Sequence, residues 1–174
     1  MADATHALGP DDGTLLVRTG RAGLGRKAGH DLTLEATRWS AEVTLGATAT
    51  VEVRVPVEGL LVKEGTGGVL PLSDADRAEI LLNLRKTLRP EHAPDIVFRA
   101  ADVAPDAQVV TGDLTIKERT EPLEIRTERT GDRLTGAATV RQTRWGIKPY
   151  SAFLGALKLA DDVEVTFDVA LPAS

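Results

Sequence analysis

The sequence predicts an all-β fold, a single eight-stranded antiparallel barrel flanked by one amphipathic helix at about residues 74–88. Three observations predict it. Apolar residues recur with a period of two through most of the chain, the signature of half-buried strands. Turn-forming clusters (APDA, KERTEP, RTGDR) separate these runs by about 8 to 12 residues, the spacing of an antiparallel meander. Only one stretch carries apolar residues at helical spacing. Strands with one apolar and one polar face either close on themselves or pack as two sheets, and closure alone removes both exposed edges. A two-sheet sandwich with a full core is the alternative architecture.

Residues 1–12 are polar and contain Gly9 and Pro10, so they read as a flexible tail before a single domain over residues 13–174. The first strand is TLLVRT. The following GRAGLGRKAG is rich in glycine and basic residues, but it lacks the Gly-Lys-Ser/Thr ending and the helix of a phosphate-cradling loop, and reads as a connection. From His30 onward Leu32, Leu34 and Ala36 share one face. Trp39, Ala41, Val43 and Leu45 continue the alternation after a phase shift at Arg38, which predicts a bulge or sharp bend inside one long strand. Val51, Val53, Val55 and Val57 follow, and Pro56 marks an edge, a bulge or the point where pairing stops. The helix has Ser73 as N-cap, Asp76 three residues on, and a stripe of Ile80, Leu81, Leu84 and Leu88. Pro90 and Pro94 end it. Period two then returns at Ile96, Phe98 and Ala100; at Val110, Gly112, Leu114 and Ile116; at Leu123 and Ile125; at Leu134, Gly136, Ala138 and Val140; and at Val163, Val165, Phe167 and Val169.

Composition excludes several functions. There is no cysteine, which removes disulfides, thiolate nucleophiles and sulfur-ligated metals. A net charge of −5 offers no basic footprint for nucleic acid or for an anionic membrane surface. No apolar run approaches the length of a membrane span, and MADATHALGPDDG lacks the basic and apolar regions of a leader, so the expectation is a cytoplasmic chain without stable membrane insertion.

No catalytic constellation stands out, and no cofactor or metal is expected. His30 and Asp31 are adjacent, so on a strand their side chains leave from opposite faces. His6 and His92 have no metal-ligand spacing. The pairs Asp161/Asp162 and Glu118/Glu121 fall where solvated charge is the default, and no serine sits in a G-x-S-x-G elbow. The stretch RQTRWGIKPYSAFLGALKLADD is the most unusual, holding Trp145, Tyr150 and Phe153 in a long connection before the last strand. Such a connection reads either as a lid over an apolar ligand or as an aromatic plug in the barrel end. With only 3% aromatic residues, the inward positions are mostly Ala, Gly, Val and Leu, which leaves room for a cavity.

The runs APDIVFRA, VVTGDLTIKERTEPLEI, TRWGI and LADDVEVTFDV resemble the YceI-like family in order and spacing, over about residues 13–171. The resemblance implies an extended lipocalin-like barrel with a helix beside it, whose apolar tunnel takes a polyisoprenoid or another lipid tail. The hairpin at 109–127 would then be a wall of a container. The implied lining is Leu32, Leu34, Val53, Val55, Leu84, Ile96, Phe98, Leu114, Ile116, Leu123, Ile125, Val165 and Phe167, with His30, Trp145, Tyr150 and Phe153 at the mouth or lid. The expected function is non-enzymatic binding, storage or transport of an apolar chain-like molecule (polyisoprenoid, isoprenoid quinone or fatty acyl lipid). A filled-barrel interaction protein and a lipid-modifying enzyme are the alternatives. A strand edge near Pro56 makes a homodimer a further expectation.

Overall fold

The computed structural model describes residues 4–22, 31–66, 73–152 and 157–172. In chain order its elements are β1 (Ala4–Leu8), β2 (Gly13–Ala22), β3 (Asp31–Ala36), β4 (Ser40–Leu45), β5 (Ala49–Pro56), a 3₁₀ turn (Val57–Gly59) and β6 (Leu60–Thr66). There follow α1 (Asp74–Leu88), β7 (Asp95–Val103), β8 (Val109–Ile116), β9 (Arg119–Thr130), β10 (Arg133–Arg141), a second 3₁₀ turn (Gln142–Trp145), β11 (Ser151–Ala152) and β12 (Leu157–Ala170). All described strand pairings are antiparallel. The spatial order is β1-β4-β5-β7-β8-β9-β10-β12-β2-β3-β6, with the two-residue β11 paired to β12 off this path.

The path holds eleven strands where eight were expected, and it curls strongly into a half-barrel without closing its ladder. Three features account for the difference. The first is β1, which lies in the segment expected to be a loose tail. Ala4, His6 and Leu8 pair with Leu45, Val43 and Ala41, and so cover the outer edge of β4. The second is the phase shift at Arg38, which separates two strands rather than bending one. β3 pairs with β2 and β6, whereas β4 pairs with β1 and β5. Thr37 holds the crossing, its backbone N–H and its hydroxyl both donating to Gly59 O, at 2.8 and 2.7 Å.

The third is the run around Pro56, which a 3₁₀ turn divides into β5 and β6. Pro56 pairs with Asp95, while the β4 ladder stops at Arg54, so the residue marks where pairing ends on one side. On its other side the run stays paired to β7 through Val55 and Pro56. The ends of the path are β1, only five residues long, and β6, against which α1 packs. Shortness and cover are two ordinary ways of protecting an edge.

The helix spans Asp74–Leu88, as the spacing predicts. Its capping box is formed: Asp76 N donates to Ser73 Oγ at 3.1 Å and Ser73 N donates to Asp76 Oδ2 at 2.9 Å. Arg89 ends it in the left-handed conformation. Arg77 fastens the helix to the sheet, with Nη1 donating to Val62 O at 2.9 Å. The hairpin β8–β9 turns on Lys117 and Glu118, both at positive φ (51° and 66°), as a two-residue type I′ turn requires. The turn is therefore tighter than KERTEP implied, and Pro122 lies inside β9 opposite Asp113.

Two apolar clusters line the interior. One gathers Val57, Leu88, Phe98, Leu114, Ile116, Leu123 and Trp145. The other gathers Ala36, Trp39, Ala41, Leu60 and Val169. Val53, Leu84 and Ile96 pack against both, so the clusters form the two ends of one interior.

Candidate functional site

That interior is not full. A cavity of about 450 Å³ runs between the curled sheet and α1. Alternation builds its wall. Leu15, Val17 and Thr19 of β2 face the same side as Leu32, Leu34 and Ala36 of β3. Val163, Val165 and Phe167 of β12 stand across from Thr19, Val17 and Leu15. Val53 and Val55 of β5 pair with Phe98 and Ile96 of β7, and Phe98 pairs in turn with Leu114 of β8. Ile80, Asn83, Leu84, Thr87 and Leu88 project from one face of α1 into the same space.

Two phenylalanines lie on glycines. A Cβ on Gly112 would sit 2.6 Å from Phe98 Cζ and 2.5 Å from Arg99 O. A Cβ on Gly136 would collide with the ring of Phe167. Each ring therefore lies against the wall rather than across the cavity, the arrangement in which an aromatic covers a strand glycine.

Among the described residues the lining carries no charge, and its polar members are Thr19, Asn83, Thr87, Gln142 and Tyr150. Carboxylates considered for acid–base work are engaged elsewhere. Asp161 accepts from Thr143 N at 2.9 Å and from Thr143 Oγ1 at 2.6 Å, capping the second 3₁₀ turn. Asp162 pairs with Arg141 at 3.2 Å and Glu121 with Arg119 at 3.3 Å. None of them lines the cavity. Among the described residues no group of His, Asp and Glu is placed to hold a metal ion, and no helix is long and apolar enough to cross a membrane. Glu52, on the outer surface, is held below its ordinary 4.5 chiefly by a hydrogen bond from Arg99.

Residues 21–171 match the YceI-like domain family. The chain belongs to the YceI-like family. Its fold is similar to that of BcnA from Burkholderia cenocepacia, with a TM-score of 0.59 at 16% identity, covering 89% of this chain and 94% of that one. It is also similar to a mutant CJ YCEI protein crystallised with a monobromobimane guest, with a TM-score of 0.54 at 11% identity, covering 78% and 81%. At these identities the likeness shows the fold alone. No curated protein matches the chain.

In this YceI-like chain the thirteen residues expected to line a tunnel all border this cavity: Leu32, Leu34, Val53, Val55, Leu84, Ile96, Phe98, Leu114, Ile116, Leu123, Ile125, Val165 and Phe167. The residues expected at the mouth divide. Tyr150 lines the cavity and is 44% exposed, which puts it at an opening. Trp145 does not border the cavity. It is 2% exposed, its Nε1 donates to Leu114 O at 2.8 Å, and it packs in the wall. His30 and Phe153 lie outside the described residues.

Sequence reasoning missed Leu15, Val17, Leu60, Ala138, Val140, Gln142, Ile147 and Leu159 as lining residues. The alternation of TLLVRT and of the strand through Ala138 held the signal for some of these. Gln142 and Ile147 had none, because Gln142 opens a 3₁₀ turn that no period announces and Ile147 follows it.

Proposed function

We propose that this protein binds and carries an apolar, chain-like small molecule, a polyisoprenoid, an isoprenoid quinone or a fatty acyl lipid, without altering it chemically. The observation that carries this reading is the cavity of about 450 Å³ whose described lining residues include none that is charged. Its size lies within the usual range of about 300 to 1,000 Å³ for small-molecule sites, and that supports a container over a filled barrel. The resemblance to a family with an apolar tunnel supports it too. Non-enzymatic carriage fits the wall, where no acid, base and nucleophile converge among the described residues.

Burial supplies the affinity. At about 30 Å³ for each water-sized group the cavity holds about fifteen heavy atoms. At about 0.8 kcal/mol per methylene, roughly fifteen carbons offer about 12 kcal/mol before the costs of association. A micromolar complex needs about 8 kcal/mol, so several kcal/mol remain to meet those costs.

The direct test is native mass spectrometry of freshly purified protein, followed by organic extraction. A bound species of a few hundred daltons with an isoprenoid or acyl pattern is expected. If the protein is clean and takes up no prenyl or acyl compound after incubation, the reading is wrong.

A further inference from the structure

The helix that borders the cavity has a second apolar face. Ile80, Leu81, Leu82 and Leu84 are interrupted only by Asn83, so in the middle of α1 apolar side chains encircle the helix instead of keeping to one side. Ile80, Asn83, Leu84, Thr87 and Leu88 face the cavity. Leu82 lies on the opposite side and is 50% exposed. Arg85 and Lys86 follow it at three and four residues, the spacing that puts side chains on one face, and Arg89 caps the helix end. All three cations are exposed, and among the described residues none has a side-chain partner. The helix dipole favours cations in a last turn. That explains their place along α1, but not their sharing a face with an exposed leucine. The acidic residues of α1, Asp74, Asp76 and Glu79, lie in its first two turns, and Asp76 is engaged in the capping box. From Ile80 to Arg89 there is no carboxylate, and Glu91 comes only beyond the cap.

We infer, resting on the carrier reading, that this outer face of α1 docks the protein on an anionic lipid surface. Leu82 enters the headgroup layer, and Arg85, Lys86 and Arg89 meet the lipid phosphates. An apolar cargo passes between the cavity and a membrane, so a lipid surface is the partner that matches both the charge of this face and the cargo. One face of α1 then meets the membrane while the opposite face meets the ligand. The net charge of −5 does not oppose the contact, because it belongs to the whole chain. At physiological salt, charges more than about 8 Å from the docking face are largely screened, whereas cations at the lipid surface lie within that distance.

The test is sedimentation of the full chain with sucrose-loaded vesicles, either pure phosphatidylcholine or an equal mixture with phosphatidylglycerol. Binding to the anionic vesicles is expected to be at least about tenfold tighter, and to fall at least about tenfold between about 50 and about 300 mM salt. Arg85→Glu/Lys86→Glu is expected to weaken it at least about tenfold. Arg38→Glu/Arg126→Glu makes the same charge change at exposed cations elsewhere and is expected to stay within about threefold of the parent. Leu82→Gln is expected to weaken binding about threefold or more. None of these five residues lines the cavity, so uptake of farnesol from solution, read by displacement of an apolar dye, should be unchanged and reports that each variant is folded. Equal binding to the two kinds of vesicle overturns the inference, as does an equal loss in the two paired variants. A parent that dimerises instead, and turns monomeric on Leu82→Gln, gives the face to a second copy and overturns it too. Selective binding to the anionic vesicles without farnesol uptake upholds the docking and sinks the carrier reading.

Discussion

Ala138 offers the sharpest test of whether the interior is a container. It lies on β10 opposite Val165 and its side chain borders the cavity. Ala138→Phe adds a six-carbon ring to a space that holds about fifteen heavy atoms. Capacity falls to about nine. Displacing roughly six methylenes of a bound chain removes about 5 kcal/mol of burial, more than a thousandfold in affinity. A sixteen-carbon alcohol should lose binding on that scale, whereas octanol, which still fits, should keep its parental affinity. Stability supplies the second half of the test. In a full core the extra ring would overpack and cost about 1–3 kcal/mol. In this cavity it meets open space, so urea unfolding of the lipid-free variant should match or exceed the parent. A variant that binds the long alcohol normally, or that unfolds more easily by the overpacking amount, would falsify the picture of an open apolar interior.

The two tryptophans should respond unequally to loss of the indole N–H. Trp145 Nε1 is hydrogen-bonded to Leu114 O while Trp39 Nε1 is buried without a partner among the described residues, so Trp145→Phe should cost about 1–3 kcal/mol more than Trp39→Phe in urea unfolding. Glu118 holds a positive φ of 66° in the β8–β9 turn, and Glu118→Gly should stabilise by about 1 kcal/mol, read as a rise of a few degrees in Tm. The folded state holds Glu52 below its ordinary 4.5, so its contribution is present above that value and fades as pH falls through the lowered pKa. The small Tm advantage of the parent over Glu52→Gln at neutral pH should accordingly vanish in acid. Extraction of bound lipid should lower Tm by about 5–10 °C, and an added prenyl alcohol at about 100 times its Kd should restore it; an unchanged Tm would mean that nothing of consequence occupies the interior.

The sequence made the helix legible to the residue, because the Ser73–Asp76 capping box and the Leu84–Leu88 spacing are local signals that packing did not overrule. It made the wall legible too, since inward positions follow from period two whatever the strands' partners are. It did not show how the strands join. The phase shift at Arg38 looks like a bulge in one strand, and only the pairing shows that the chain there leaves β2 and β6 for β1 and β5. Strand order is a long-range property, and a period cannot report it. The same holds for Trp145: in its connection it reads as part of a lid or a plug, but its N–H reaches a carbonyl 31 residues away in sequence and seats it in the wall.

The void itself depends on register as well as on small residues. Gly112 and Gly136 look like weak points in their strands, since glycine offers no side chain to pack. Gly136 lies opposite Phe167 and Gly112 diagonal to Phe98, and each becomes the seat of a ring, where a side chain would collide with it. A one-residue slip between β7 and β8, or between β10 and β12, would separate each ring from its glycine and turn the inward faces outward. The empty volume also carries a cost. At about 24 cal/mol per Å³, a sealed and dry void of this size would cost roughly 10 kcal/mol, comparable to the whole stability of an ordinary domain. An opening near Tyr150 relieves part of that cost by admitting solvent, but water gains little from apolar walls. A chain-like ligand relieves it directly, because it restores the contacts that the lining residues lack, and so the feature that binds the ligand also makes the fold depend on it.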